Sequence, residues 1–290
     1  MNILYLTHPL NGLLMIGLGL GLGIWLTRRF RLGWGIWWAG GATFILSQVG
    51  HIPFNLNVLN PWVQQILAAQ PSLNGLPWAV AALYGLSAGV FEEFARYAMY
   101  RWWLKDARSW RKGILAGAGH GGIEAILLGL LTLASFFQVA ALQDADLSTL
   151  VPEEQISTVS QQIAAYWSLP WYDSLLGAVE RLFTIPFHIA ASVMVLQAFT
   201  RRKPAWLGLA VLWHALVDAA AVYLAGFVSI YLVEAIIGLA ALLNLGIIFA
   251  LRQPEPEPPT APSLPPAPMQ TLPLAEIEEN AENLDNTRFT

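Results

Sequence analysis

The chain has 290 residues, 56% of them hydrophobic and only 12% charged, with a mean hydropathy of +0.52. A soluble domain carries about a quarter charged residues; here the apolar residues come in runs long enough to cross a bilayer, so the class is all-α, a polytopic transmembrane helix bundle. The chain has no cysteine, which excludes disulfides, thiolate catalysis and Cys-ligated zinc.

The net charge of −4 is set by the last segment. From Gln253 onward seven acids stand against one Arg, which leaves the preceding body at +2. That small excess sits in short clusters, which carry topology information; no nucleic-acid partner is expected.

A first span is expected at about Leu10–Leu26, followed by Arg28, Arg29 and Arg31. With no basic leader before it, the run reads as a retained span and not a cleaved signal peptide. Its GLGLGLG stretch holds Gly17/Gly21 and Gly19/Gly23, two small-xxx-small pairs that allow close helix packing. Span two is about Leu32–Val49, with Trp34, Trp37 and Trp38 as interface anchors. The stretch HIPFNLNVLNPW carries Pro53 and Pro61 and predicts a break in helical continuity, with His51 solvated in a loop. A short amphipathic or re-entrant piece then runs to Ala69, and residues 55–75 become an eighth span if they insert.

Span three is about Trp78–Leu104 and contains FEEFARY at 91–97. After KDARSWRK, span four is about Gly113–Leu142, with GHGGIEA in its first third. Residues 143–168 form a polar stretch with Asp144, Asp146, Glu153 and Glu154 but no Lys or Arg. Span five is about Trp171–Thr200, span six about Trp206–Gly226 and span seven about Val228–Leu251. Residues 1–252 are thus the membrane body. Residues 253–290 form a proline-rich acidic tail with no core to bury, expected to be extended. Basic clusters follow spans one, three, five and seven, whereas the intervening loops have no Lys or Arg. The positive-inside rule then puts the N-terminus outside and the tail in the cytoplasm, as in a multi-pass protein of a bacterial plasma membrane.

Ionisable groups inside such spans are costly and are usually kept for function. Measured from the nearest basic cluster, Glu92 and Glu93 lie 12–13 residues before Lys105, Glu124 lies 12 after Lys112, His188 lies 13 before Arg201, and His214 and Asp218 lie 11 and 15 after Lys203. At 1.5 Å per residue most of these groups share one depth, roughly 15–20 Å from the cytoplasmic boundary. Unpaired carboxylates cannot face lipid, so the four helices are expected to turn these faces together.

Spacing supports that meeting. Arg96 is i,i+4 from Glu92 and i,i+3 from Glu93, so it can hold either carboxylate. His120/Glu124 and His214/Asp218 are i,i+4 pairs on one stripe each. Arg181 and His188 are two turns apart, with Pro186 able to kink the helix between them, and Gly117, Gly119, Gly121 and Gly122 let a backbone or a substrate approach His120. Two adjacent carboxylates at low dielectric do not both stay charged, so one can serve as base while the other stays protonated. Two or three imidazoles opposite them can stabilise an oxyanion or ligate a metal. The chemistry that fits is peptide-bond hydrolysis in or beside the bilayer. The structural alternatives are an ion pair that only fixes packing, a packing role for His120, and a simple Glu180–Arg181 pair.

FEEFARY resembles the EExxR/K motif of the YhfC and PrsW intramembrane proteases, relatives of the type II CAAX-endopeptidase and bacteriocin-immunity group. GHGGIEA, RLFTIPFHIAASV and HALVD are similar to the second, third and fourth motifs of that group, in family order, over about Ala79–Ala225. The YhfC pattern is the best match. The resemblance implies Glu92 and Glu93 as water-activating carboxylates beside Arg96, with Glu124, His188 and His214 completing the centre and Asp218 orienting His214. His120 and Arg181 are the candidate substrate contacts. If the enzyme is metal-dependent, His188 and His214 hold a divalent cation such as zinc; if it is glutamate-type, there is no cofactor. Partners would be the bilayer and a membrane protein or peptide substrate. The chain has two residues between Glu93 and Arg96 where the CAAX-endopeptidase group has three, and Asp218 where that group more often has Asn; both differences argue against prenylated substrates. The readings to be separated from this one are a proton- or ion-coupled transporter and a non-catalytic scaffold that uses the tail as a peptide ligand.

Overall fold

A computed structural model describes residues 2–69 and 77–254. Among these residues every regular element is helical. The helices are α1 (Leu4–Phe30), α2 (Trp34–Phe54), α3 (Asn60–Ala69), α4 (Pro77–Ala98), α5 (Trp110–Leu142), α6 (Glu153–Ser168), α7 (Leu176–Thr200), α8 (Ala205–Ala225) and α9 (Ile230–Ala250). Five helical segments are long and apolar enough to cross a membrane: Leu4–Phe30, Trp110–Leu142, Asp173–Thr200, Ala205–Ala225 and Ile230–Ala250. α2 and α4 have spanning length, 21 and 22 residues, but their Trp and polar residues make them less apolar. They pack within the same bundle. The protein is an integral, multi-pass membrane protein.

α5 is the central post. It packs on α1 and α2 along one side and on α7 along another, while α4 pairs with α8 and closes against α2. α7 is the most enclosed helix, and its Ala190–Leu196 stretch is almost wholly buried. Leu131, Phe137, Leu212, Leu216, Leu242 and Phe249 point outward. In lipid such a surface costs nothing, so helix association rests on close packing and polar contacts. Trp37, fully buried, fills the corner between α1, α2 and α5. Of the two small-xxx-small pairs in α1, only Gly19/Gly23 faces a neighbour, meeting Gly122 and Trp37; Gly17 and Gly21 face open space. The physical reason is the helical period: two residues on is roughly 200° around the helix.

The basic loops collect at one end. Arg108 lies 4.6 Å over the Phe199 ring, Arg252 5.2 Å over Trp110, and Trp110 Nε1 donates to the Ile248 carbonyl at 2.8 Å. α1 terminates there at Arg31, a left-handed residue (φ 54°) whose N–H caps Arg28 and Thr27. At the other end His8 stacks on Tyr166 and Tyr5 on Trp167, with ring centroids 3.9 and 4.3 Å apart.

Three expectations need correction. Pro53 lies inside α2, and a π-helical turn at Asn55–Leu59 leads straight into α3, so helical continuity is kept where a break was expected. The wider turn holds Asn57, whose carbonyl Pro61 would otherwise crowd, so the chain passes Pro61 without ending the helix. Consequently 55–69 continues α2 and makes no re-entrant turn. His51 is helical and half-buried, accepting from Asn55 Nδ2 at 2.9 Å, and is not a solvated loop residue. The stretch 143–168 contains α6, which starts after Pro152 with Glu153 and Glu154 in its first turn and has no buried residue. The acidic tail lies, from residue 255 onward, outside the described residues.

Candidate functional site

The site is built where α4 crosses α8 and where α5 crosses α7. Gly85 and Gly89 on α4 let α8 approach: a Cβ at Gly89 would stand 2.7 Å from the Val211 carbonyl oxygen and 3.3 Å from His214 Cβ. Gly121 does the same for α7, since its Cβ would lie 3.0 Å from His188 Cδ2. The glycines around His120 therefore serve backbone approach.

Glu92 is the meeting point. Its Oε2 is 3.0 Å from His120 Nε2, 3.4 Å from Arg96 Nη2, and 3.9 Å from both His188 Nδ1 and His214 Nε2. Glu93, fully buried, binds Arg96 through Oε1, and the same oxygen meets His214 Nδ1 at 2.7 Å. Arg96 thus holds both acids of FEEFARY and also donates to His188 Nδ1 at 2.7 Å. His214 Nε2 reaches Asp218 Oδ2 at 3.3 Å. On the far side Arg181 bonds Glu124 at 2.5 Å and also Glu180, so it joins the network instead of pairing with Glu180 alone. His188 Nε2 stands 2.5 Å from Glu124 Oε2, so Glu124 is held between His188 and Arg181. All nine expected residues, Glu92, Glu93, Arg96, His120, Glu124, Arg181, His188, His214 and Asp218, belong to one connected cluster.

Hydrogen-bond partners assign the imidazole protons. Thr43 donates its hydroxyl to the Gly40 carbonyl at 2.5 Å, so His120 Nδ1, 2.9 Å away, must be the donor to Thr43 Oγ1. His120 Nε2 is then 3.0 Å from Glu92 Oε2, a hydrogen bond that needs one proton between the two atoms. An arginine N–H only donates, so His188 Nδ1 presents its lone pair to Arg96. His120 Nε2, His188 Nδ1 and Glu92 Oε2 thus gather beside the Arg96 guanidinium, which donates to the last two; a metal held there would take the place of the Arg96 bond to His188.

Among the described residues Glu92, His120 and His188 form a buried group whose ligand atoms lie within 4.8 Å of one another. An N,N,O donor set suits a divalent transition metal, and His120 Nδ1 is already oriented by Thr43 in the way metal-bound histidines usually are. The composition of this group differs from the expected His188/His214 pair: His120 joins it, while His214 stands on the other flank of Glu92.

A cavity of about 220 Å³ opens beside the cluster. Glu92, Glu124, Arg181, His188, His214 and Asp218 line it, together with Phe187 and Asn244. Glu93, Arg96 and His120 stand behind that wall. Sequence reasoning missed α2: Gln48 donates to Glu92 Oε1 at 3.1 Å and Thr43 holds His120. The signal was a polar stripe, Thr43, Ser47 and His51, recurring every four residues in an apolar helix, with Gln48 beside it. α4, α5, α7 and α8 run unbroken past the site, without the unwound half-helices of a carrier.

Comparison with known proteins assigns a family. The chain is 31% identical over 245 residues to the uncharacterized membrane protein YhfC of Bacillus subtilis (strain 168), covering 81% of this chain and 92% of that one. No solved structure matches. The family described as YhfC intramembrane metalloprotease matches residues 13–238, a stretch that holds every residue of the cluster. The chain belongs to the YhfC intramembrane metalloprotease family.

Proposed function

We propose that the protein is a membrane-embedded endopeptidase that hydrolyses a peptide bond in a membrane protein or membrane-associated peptide. The observation that carries this reading is the convergence of Glu92 with imidazoles from three other helices beside a polar cavity. Glu92, His120 and His188 would hold a divalent metal such as zinc. Such a metal, when bound, makes water nucleophilic near neutral pH and polarises the scissile carbonyl.

The chain's own groups do the rest. Glu124 faces the cavity between Arg181 and His188, where it can take the proton of the attacking water and pass it to the leaving amine. His214, held by Glu93 and Asp218, lines the same cavity and can donate to the developing oxyanion. Arg181 orients Glu124 and can bind a substrate carbonyl. Glu93 is buried behind the wall, which suits positioning of Arg96 and His214 better than water activation. The basic end, by the positive-inside rule, faces the cytoplasm, and the tail from Gln253 is a cytoplasmic appendage to a peptidase core at 79–225.

The test is elemental analysis of the purified protein in nanodiscs, together with cleavage of quenched fluorescent single-span peptides. About one metal per chain, lost with activity in Glu92→Gln, is the expected result. Cleavage by Glu92→Gln at the wild-type rate overturns the proposal. A metal-free wild type that depends on Glu92 and Glu124 leaves the hydrolase and removes the metal.

A further inference from the structure

Away from the cluster, a groove of about 570 Å³ runs between α1, α7 and α9. Its walls are apolar: Leu18, Leu22 and Trp25 from α1, Ile185 and Ile189 from α7, and Leu245 from α9. At the basic end of the bundle its mouth carries three arginines, Arg29, Arg111 and Arg252. There it adjoins a second cavity of about 540 Å³, which shares Trp110, Arg111 and Arg252 with it. A long apolar slot thus ends in a cationic basin.

We propose that this groove binds an anionic phospholipid, with an acyl chain along α1, α7 and α9 and the phosphate at Arg29 and Arg252. The dimensions agree. Leu18 and Arg29 both line the groove, and eleven residues of helix rise about 16 Å, close to the ~15 Å half-thickness of a bilayer's hydrocarbon core. The charge agrees as well. Basic pockets between helices at the basic face of a membrane protein select anionic headgroups, whereas a neutral lipid gains only the apolar wall. Arg252 lies over the Trp110 ring, 5.2 Å from its centroid, so the aromatic face holds one guanidinium at the mouth. Trp110 is itself fixed by its bond to the Ile248 carbonyl. The occupant would touch Pro186 and Ile189 of α7, the helix that carries His188, without contacting the cluster.

Native mass spectrometry of the full chain, released from nanodiscs of mixed phosphatidylglycerol and phosphatidylcholine, tests this. Retained phosphatidylglycerol in excess over phosphatidylcholine is expected. Each arginine near a phosphate contributes about fivefold in affinity, so Arg29→Gln/Arg252→Gln should weaken that retention about twenty-five-fold. A second variant, Ile185→Trp, fills the slot without touching charge and should also displace the lipid. Soluble glycerol phosphate at millimolar concentration should not compete if the apolar slot contributes, and should compete if the basin is only a phosphate site. Equal retention of both lipids, full competition by glycerol phosphate, or wild-type retention by the double arginine variant each overturns the proposal. So does a full chain that retains no lipid while a chain ending at Pro254 does, because the acidic tail would then be the occupant.

Discussion

Thr43→Val separates a positioning role from a packing role at His120. The substitution keeps the shape of a side chain that is only 1% exposed and removes the single acceptor that His120 Nδ1 has, 2.9 Å away. His120 is fully buried, so its N–H is left unsatisfied, which costs ~1–3 kcal/mol. The lost bond to the Gly40 carbonyl matters less, because that carbonyl is in a helix. If His120 Nε2 is a metal ligand, the cost falls on the ring orientation that points Nε2 at Glu92, and zinc affinity should drop about fivefold to 150-fold. Competition with a chromophoric chelator in detergent measures it, with thermal unfolding of the metal-free protein as the control for packing. Thr43→Ser should recover most of the loss. Wild-type zinc affinity in Thr43→Val, beside a clear loss in His120→Asn, would refute the tautomer argument.

Glu124→Gln should keep the metal and lose turnover by about 10²–10⁴-fold, the usual worth of a general base; parallel elemental analysis and peptide cleavage read it. Glu93→Gln leaves Arg96 and His214 short of a counter-charge deep in the bundle, so the unfolding temperature in detergent should fall more than for the cavity-wall change at Asp218. Gly119→Ala drives a Cβ into the Trp37 carbonyl, which is backbone and cannot turn away. A loss of about 1–3 kcal/mol, or failure to accumulate in the membrane, is expected, and wild-type stability would show that α2 and α5 can separate there. Because the chain has no cysteine, single cysteines at Ser148 and Lys203 report orientation directly. An impermeant maleimide should label the first and not the second in intact cells, and the reverse pattern inverts the proposed topology.

The candidate site was legible to different depths. Glu92, Glu93 and Arg96 announce themselves because charge is rare inside an apolar helix, and the depth ruler placed His188 and His214 at their level. The ruler gives height along the membrane and says nothing about azimuth. Which imidazoles close on Glu92 depends on helix rotation and crossing, and those depend on Gly89 against α8 and Gly121 against α7. That is why His120 joins the Glu92–His188 group while His214 flanks it. The role of α2 was hidden for a related reason. Thr43 and Gln48 carry no charge, so they leave no mark comparable to a buried acid.

The amino-acid sequence by itself determined that this is an all-helical membrane protein, where its apolar runs lie, and that acids and histidines sit inside them. Those properties follow from composition and from local period, which lipid enforces by leaving no backbone group unpaired. Tertiary structure decided which side chains touch, that Glu93 lies behind the cavity wall, and that Pro53 sits inside a continuous helix. Each of these depends on distances between segments far apart in the chain, set by close packing at glycines, and no periodicity within one segment encodes them.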